Sequence, residues 1–375
     1  MKKVFLCIIL IAGVLFSSCR NSAWDFPDHD YSRVYFATQF PVRTITLGTN
    51  YVWDNSMDNN RQFTIYATVG GFRRISNDIV ITFRVDNSLV DGLTNVTAMP
   101  AHYYTLLSDR MIIRRGGPVI GGVTVQLTDA FFASPRALTY NYVIPLVITD
   151  ATNVTEVLRG TPVLGVENPN RVREEDWLVQ PKDFVLMAVQ YINNWDGVYL
   201  RRGTDVATIN GETTTTVRRA MQYSVFYPVP SRPIHVVEHD ELITLWSYSL
   251  SELIIPLGLE NYDGTNLGMQ LRATFNSNQE AVISVHRESD PENEDIDVSV
   301  ISVTGSGRYV VNGERNSFGN RDRDVLFLDY TLEFTIESNG SSDIETVRIH
   351  TLDTLVLRDR QCQLRFFRPE FPEDN

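Results

Sequence analysis

The chain has 375 residues, a hydrophobic fraction of 43% and a formal net charge of −13 at pH 7. This length and apolar content are sufficient for two folded domains with separate cores. The acidic balance argues against nucleic acid or an anionic lipid surface as a partner, because both are bound through clustered lysine and arginine.

The N-terminal residues have the pattern of a bacterial lipoprotein signal. Two lysines precede an uncharged apolar run from Val4 to Phe16, which is shorter than the roughly 20 residues that span a bilayer as a helix. Two serines and Cys19 follow, and a lipoprotein signal peptidase requires such small residues before a lipid-modified thiol. We expect a signal peptide over residues 1–18, a lipidated Cys19 and a polar tether over residues 19–30. The alternative is an ordinary secretory signal with a coincidental cysteine.

Residues 31–155 consist of short β-rich runs separated by turn residues. Runs such as RQFTIYATV, DIVITFRVD and GVTVQLTD alternate apolar and polar residues with a period of two, which is typical of half-buried strands. The breaks carry Asn, Asp, Gly and Pro, which favour tight turns. Because no helical pattern separates these strands, the segment predicts an antiparallel sandwich.

Residues 156–180 mix polar residues with proline and glycine and predict a linker, with a second domain over residues 181–375. KDFVLMAVQYINNW opens this half as a strand or a brief helix, and SLSELIIPLG is the segment most typical of a helical turn. The remaining runs, among them LITLWSYS and DVLFLDYTLEFTIE, predict roughly eight strands in an up-and-down barrel or a second sandwich. Trp246 lies in an alternating strand, and we expect it in the core.

Four segments of the first half occur in the order of a known family: VDNSLVDGLTN, MPAHYYTLL, MIIRRGG with GGVTVQLTD, and YNYVIPLVITDA. They resemble an N-terminal domain of unknown function found in Bacteroidetes surface lipoproteins. That resemblance implies an immunoglobulin-like β-sandwich.

In the second half, the Trp-x-Gly-x-Tyr motif that begins at Trp195 and the later DVLFLDYTLEF resemble a lipocalin-like C-terminal domain, also of unknown function. The two resemblances imply an all-β chain, with an N-terminal immunoglobulin-like β-sandwich followed by a lipocalin-like antiparallel β-barrel. Many genes of this kind neighbour SusC-like and SusD-like transporters, which implies a role in polysaccharide utilisation.

Three motifs could carry chemistry, and each has a simpler explanation. HVVEH at residues 235–239 matches a sequence motif of zinc peptidases, in which the motif must lie on a helix. Nearby prolines and β-branched residues instead predict a strand. In a strand, residues four apart stand roughly 13 Å from each other, too far to share an ion. ESDPENEDIDV lacks the glycine and ligand spacing of an EF-hand loop and predicts a solvated hairpin tip. SVTGSGRYV predicts a glycine turn and not a serine nucleophile. We therefore assign no catalytic residue, metal site or cofactor.

Sugar binding requires an aromatic face and a few polar groups that match hydroxyls. Two aromatic-containing, loop-like segments, YVWDNSMDNN and NNWDGVY, supply the candidates: Tyr51, Trp53, Asp54, Asn55, Asn194, Trp195 and Asp196. Trp195 has the alternative of closing one end of the barrel core, as the matching residue does in lipocalin-like barrels. Trp53 has the alternative of capping the sandwich edge.

These observations predict a non-catalytic, lipid-anchored outer-membrane protein that binds a polysaccharide or oligosaccharide. We expect it on the cell surface, with the periplasmic face as the alternative location, and a SusC/SusD-like transport complex as a partner. An adhesive or structural protein that binds other proteins is the second hypothesis. A divergent glycan hydrolase is the third.

Overall fold

The computed structural model describes residues 31–218, 237–259, 267–287, 296–338, 344–360 and 363–372. The expected signal peptide, the tether and Cys19 lie outside the described residues, as do His235 and most of the ESDPENEDIDV segment. No helix in the described ranges is long and apolar enough to cross a membrane.

The N-terminal half is built almost entirely of strands. They are β1 (Arg33–Tyr35), β2 (Pro41–Thr46), β3 (Gln62–Gly70), β4 (Ile79–Val85), β5 (Thr97–Ala98), β6 (Tyr104–Leu106), β7 (Arg110–Ile113), β8 (Ile120–Leu127), β9 (Tyr142–Ala151), β10 (Glu156–Val157), β11 (Thr161–Pro162), β12 (Trp177–Val179) and β13 (Phe184–Ile192). The short helices are α1 (Ser56–Asn59) and α2 (Asp129–Phe132), with 3₁₀ turns at Asn87–Val90, Ala101–Tyr103, Pro135–Leu138 and Glu174–Asp176.

The strands of the C-terminal half are longer. They are β14 (Gly197–Ile209), β15 (Glu212–Arg218), β16 (Glu241–Ser247), β17 (Glu252–Pro256), β18 (Gln270–Phe275), β19 (Glu280–Arg287), β20 (Ile296–Ser317), β21 (Arg321–Ser338), β22 (Ile344–Asp359) and β23 (Arg365–Phe366). A 3₁₀ turn covers Val237–His239.

Two sheets form the N-terminal sandwich. One has the order β10-β1-β3-β8-β6, and the other has the order β23-β2-β13-β9-β4-β7 with β5 on β9. In β3 the alternation predicted from the sequence is observed, since Phe63, Ile65 and Ala67 are buried between the sheets. The predicted sandwich is therefore confirmed.

The predicted division between the domains differs from the strand pairing. β13, which the sequence analysis placed in the barrel domain, pairs antiparallel with β9 and parallel with β2 inside the sandwich. The short β23 near the C-terminus also pairs with β2. β13 is almost uniformly apolar and buried on both faces, as central strands are, and such a pattern does not reveal which sheet a strand joins. The chain thus leaves the sandwich after Ile192, forms the barrel, and returns to the sandwich.

The C-terminal half is a closed eight-stranded antiparallel barrel, which confirms the predicted fold class. Strands β14 and β16–β22 follow one another around the barrel, and β14 closes it by pairing with β22 from Val198 to Ile209. β15 lies outside the ring and pairs with the distal half of β14. Tyr199, Leu245, Leu253 and other apolar side chains fill the barrel interior.

Two local predictions in this half are wrong. SLSELIIPLG contains no helical turn, because Glu252–Pro256 forms β17 in the barrel wall. The glycines of SVTGSGRYV lie inside β20 and do not form a turn. A Cβ atom on Gly305 would lie 2.4 Å from Cβ of Tyr330 on β21, so glycine is needed there for close approach between the strands.

Candidate functional site

The loop that follows β2 holds four of the sequence candidates, and Tyr51 joins the two domains there. Its hydroxyl accepts a hydrogen bond from the backbone amide of Asp324 at 2.7 Å, and the Arg323 guanidinium lies 4.2 Å from its ring centroid. Burial, followed by the Asp324 carboxylate, raises the pKa of Tyr51 well above its usual range. Tyr51 therefore contacts the barrel and does not present an open ring face.

The polar neighbours of Tyr51 hold the loop in shape. The Asn55 side-chain amide donates to the carbonyl oxygens of Thr46 and Gly48, each at 2.8 Å. The Asp54 carboxylate accepts from the Ser56 amide at 2.9 Å, and this hydrogen bond lowers the pKa of Asp54.

Trp53 is the sequence candidate with an accessible ring. It is 39% exposed, but it lines none of the three clefts described below.

The second set of candidates, Asn194–Asp196, lies where the chain passes from sandwich to barrel. Trp195 is 4% exposed, stacks on Phe275 with ring centroids 3.9 Å apart, and donates from Nε1 to Gln279 Oε1 at 2.9 Å. These contacts are those of a residue that closes the end of the barrel core, which was the alternative reading of the motif. The ring has no free face for a sugar.

Asp196 and Asn194 are likewise engaged in the fold. The Asp196 carboxylate accepts from the amide and the hydroxyl of Ser247, at 2.6 and 2.8 Å. Burial raises the pKa of Asp196 in spite of these hydrogen bonds. The Asn194 carbonyl accepts from the Arg360 guanidinium, so both residues belong to the junction between the domains.

Arg360 is the centre of that junction. It follows the last barrel strand and is 3% exposed. Its Nε donates to the Thr49 carbonyl of the sandwich at 2.9 Å, and its terminal nitrogens donate to the carbonyls of Asn194 and Asp196. One guanidinium therefore ties the chain that enters the barrel and the chain that leaves it to the same sandwich loop.

Trp246, which the sequence analysis placed in the core, is exposed on the outer face of the barrel beside this junction. Ile243 and Leu245 point inward on β16, so the period of two turns Trp246 outward, where it is 45% exposed. The alternation in LITLWSYS was identified correctly. The face that Trp246 occupies was not.

A cleft opens on one side of Trp246 because β16 and β17 separate. These strands are paired only at Trp246–Ile254 and Ser247–Leu253, and the remainder of β16 stands apart from β17 and β18. The resulting strand cleft has a volume of about 550 Å³, and its lining includes Trp246, Glu241, Thr244, Gln270, Arg287 and Arg201.

A second cleft, which Trp246 also lines, lies between the two domains. This junction cleft has a volume of about 420 Å³, and its lining includes Trp246, Thr44, Gln190, Gln363, Arg360 and Arg365. Gln190 and Thr44 are hydrogen-bonded to each other at 3.0 Å across β13 and β2. The sandwich and the barrel both contribute walls, so this cleft exists only while the junction is formed.

The base of the strand cleft is a buried ion pair. Arg201 on β14 donates from Nε and Nη2 to Asp353 Oδ2 on β22, at 3.1 and 2.8 Å. Glu241 lies 3.9 Å from the same guanidinium. Removing either buried partner would leave an uncompensated charge. We therefore expect the two side chains to stay paired at the base of the cleft.

A third cleft, of about 660 Å³, lies at the sandwich edge around Arg33, Glu156 and Arg159. The described residues that line it include no aromatic side chain. It therefore lacks the flat apolar surface on which a sugar ring stacks.

The described residues do not support the zinc-peptidase motif HVVEH. Val237–His239 forms a 3₁₀ turn where the sequence predicted a strand, and His235 lies outside the described part. Within the described ranges, no group of three or more His, Cys, Asp or Glu side chains could hold a metal ion.

Two known domain families match parts of the chain, one in each half. The domain of unknown function DUF5627 matches residues 194–361, and a second family, described as an N-terminal domain, matches residues 28–155. A comparison with curated proteins gives no match.

The solved structures to which this chain is similar come from Bacteroides species. A protein of unknown function from Bacteroides ovatus is 36% identical with a TM-score of 0.73, over 90% of this chain and 99% of that one. An auxiliary nutrient binding protein from Bacteroides thetaiotaomicron is 12% identical with a TM-score of 0.35, over 84% of this chain and 90% of that one. A multidomain protein including DUF1735, from Bacteroides ovatus, is 16% identical with a TM-score of 0.33, over the same shares.

Proposed function

We propose that this chain, which belongs to the same family as the Bacteroides ovatus protein of unknown function, is a non-catalytic glycan-binding protein with its site around Trp246. The observation that carries the proposal is a half-exposed indole between two polar clefts. An indole face stacks on the apolar side of a sugar ring, and amide, hydroxyl and carboxylate groups bind the hydroxyls around it.

The two clefts together suit an oligosaccharide better than a single sugar. Trp246 belongs to the lining of both, so a glycan with one ring on the indole would extend its neighbouring sugars into both clefts. Glu241, Thr244 and Gln270 would contact one neighbour, and Thr44 and Gln190 the other. The junction contacts of Arg360 hold the two walls in place, which reduces the ordering cost of binding.

In this proposal the protein is anchored to the outer membrane through a lipid on Cys19, on the cell surface, beside a SusC/SusD-like transport complex. Many tethered copies on one surface would raise the avidity of a weak single site. Globomycin tests the anchor, since it should cause the uncleaved precursor to accumulate in wild-type cells. The Cys19→Ser variant should show no such response, and a wild-type chain processed normally in globomycin would contradict the anchor.

The binding site is tested by a pair of tryptophan variants on a glycan array. Trp246→Ala and Trp53→Ala each remove a partly exposed indole, but only Trp246 lines the clefts. We expect Trp246→Ala to weaken the wild-type hits at least about tenfold, or about 1.4 kcal/mol, and Trp53→Ala to leave them unchanged.

The opposite pattern would place the site on the loop of Trp53. Absence of any hit with correctly folded wild-type protein would contradict glycan binding and favour a protein partner. Circular dichroism of each variant verifies the fold.

A further inference from the structure

The lining of the strand and junction clefts reverses the charge balance of the chain. The whole sequence has 46 acidic and 33 basic residues. Among the described residues that line the two clefts, the charged ones are Arg201, Arg287, Arg360 and Arg365 against Glu241 and Asp196. The lining of the two clefts is therefore richer in arginine than the chain as a whole.

Two of these arginines have structural roles. Arg201 is paired with Asp353, and Arg360 is hydrogen-bonded to backbone carbonyls of the junction. Arg287 and Arg365 are different, because neither forms an ion pair with any residue in the described ranges. Arg365 is exposed at the rim of the junction cleft.

Arg287 carries the clearest sign of a missing partner. Its Nε is buried, and no hydrogen-bond acceptor reaches it in the described structure. A buried donor without an acceptor is unfavourable, and a charged one more so. Arg287 lines the same cleft as Trp246, so an anion bound beside the indole would lie next to the Arg287 side chain.

A second arginine lies next to Arg287. On the neighbouring strand, Arg272 Nε is likewise buried without a described partner, although its guanidinium lies 3.6 Å from Glu252. Burial, and then the charges of Arg272 and Arg287, lower the pKa of His286. Glu252 opposes this effect without cancelling it.

We propose that the glycan bound beside Trp246 is acidic, and that Arg287 binds its carboxylate or sulfate group while a sugar ring stacks on the indole. This inference rests on the proposed function and specifies its ligand class. A guanidinium presents donors in a planar fork that matches a carboxylate or a sulfate ester. The anion would supply the negative charge that no described residue gives to the Arg287 guanidinium.

The test is an array of matched pairs, in which each acidic polysaccharide is printed beside its neutralised form. Polygalacturonate with its methyl ester and alginate with its carboxyl-reduced form report carboxylate recognition. Chondroitin sulfate with its desulfated form reports sulfate recognition, and unrelated neutral glycans complete the array. We expect the full mature protein to bind the acidic member of at least one pair at least tenfold more strongly than the neutral member.

The variants separate the two proposals. Arg287→Gln should abolish the preference for the acidic member, whereas Arg308→Gln, which removes an exposed arginine of the same barrel outside both clefts, should retain it. Equal binding to both members, lost in Trp246→Ala, would overturn the acidic ligand and leave glycan binding intact. No binding to any acidic or neutral glycan would overturn both.

A second readout does not depend on affinity. On binding an acidic hit, the NMR titration of His286 should move to higher pH, because the ligand anion offsets the charges of Arg272 and Arg287. An unchanged His286 titration with the acidic hit bound would place the anion elsewhere and overturn the role of Arg287.

Discussion

The domain junction gives the most quantitative prediction, because one buried side chain, that of Arg360, donates hydrogen bonds to both sides of it. Arg360→Ala would remove donors to the Thr49 carbonyl in the sandwich and to the Asn194 and Asp196 carbonyls at the entry to the barrel. It would also leave these carbonyls without their partner in a buried site. We expect the free energy of unfolding to fall substantially.

The magnitude follows from the contacts. A hydrogen bond from a charged group contributes about 1.5–3 kcal/mol, so one bond to each side of the junction amounts to about 3–6 kcal/mol. Contacts that share one side chain are not additive. We therefore expect a loss of about 3 kcal/mol, at the lower end of that range.

Chemical denaturation followed by circular dichroism measures this loss, with Arg358→Ala as the matched control. Arg358 lies two positions away, but its side chain is 39% exposed and its Nε stands 3.7 Å from Asp359. A surface pair of this kind contributes about 0–1 kcal/mol. If Arg360→Ala destabilised the protein no more than Arg358→Ala, the reasoning about the junction would be refuted.

Three further predictions concern buried residues. Trp195→Ala should lower the free energy of unfolding by about 3–5 kcal/mol, since it leaves a cavity against Phe275 at the end of the barrel core. A change below about 1 kcal/mol in thermal or chemical unfolding would indicate a surface role for Trp195. Asp353→Ala should cost about 3–5 kcal/mol by leaving Arg201 buried without its partner, whereas unchanged stability would show that Glu241 alone suffices. Asp196→Asn should gain stability relative to the wild type as pH rises above the ordinary carboxyl range, because the folded protein retains the Asp196 proton to higher pH than the unfolded chain. The contribution of Asp196 to wild-type stability is therefore lost as pH rises. Parallel pH profiles of unfolding for the two proteins would contradict the raised pKa.

The junction also links stability to binding. The junction cleft takes one wall from each domain, and Arg360 both lines it and holds the walls together. A variant that loosens the junction should therefore weaken binding in the junction cleft more than in the strand cleft, whose walls all belong to the barrel. Binding to the two clefts should therefore be compared in Arg360 variants before a loss of affinity is attributed to a direct contact between Arg360 and the ligand.

Much of the fold was accessible from the sequence because strand alternation is a local signal. The period of two in RQFTIYATV and LITLWSYS predicted β3 and β16, and the turn residues between such runs predicted an all-β chain of two domains. Trp195 illustrates the same point, since its motif resembled one whose tryptophan closes a barrel core. That alternative agrees with the observed contacts of the ring.

Strand pairing and the choice of the inward face were decided only by the tertiary structure. The apolar pattern of β13 is compatible with a central strand in either domain. Its position between β9 and β2 depends on residues far away in the chain. The alternation around Trp246 predicts that Trp246 and Leu245 point to opposite faces of β16. Only closure of the barrel determines that Leu245 points inward and Trp246 points to solvent. The clefts arise from the separation of β16 from β17 and from the docking of two domains, and neither has a local signature. The sequence thus determined the elements and their class, whereas long-range pairing determined where a ligand could bind.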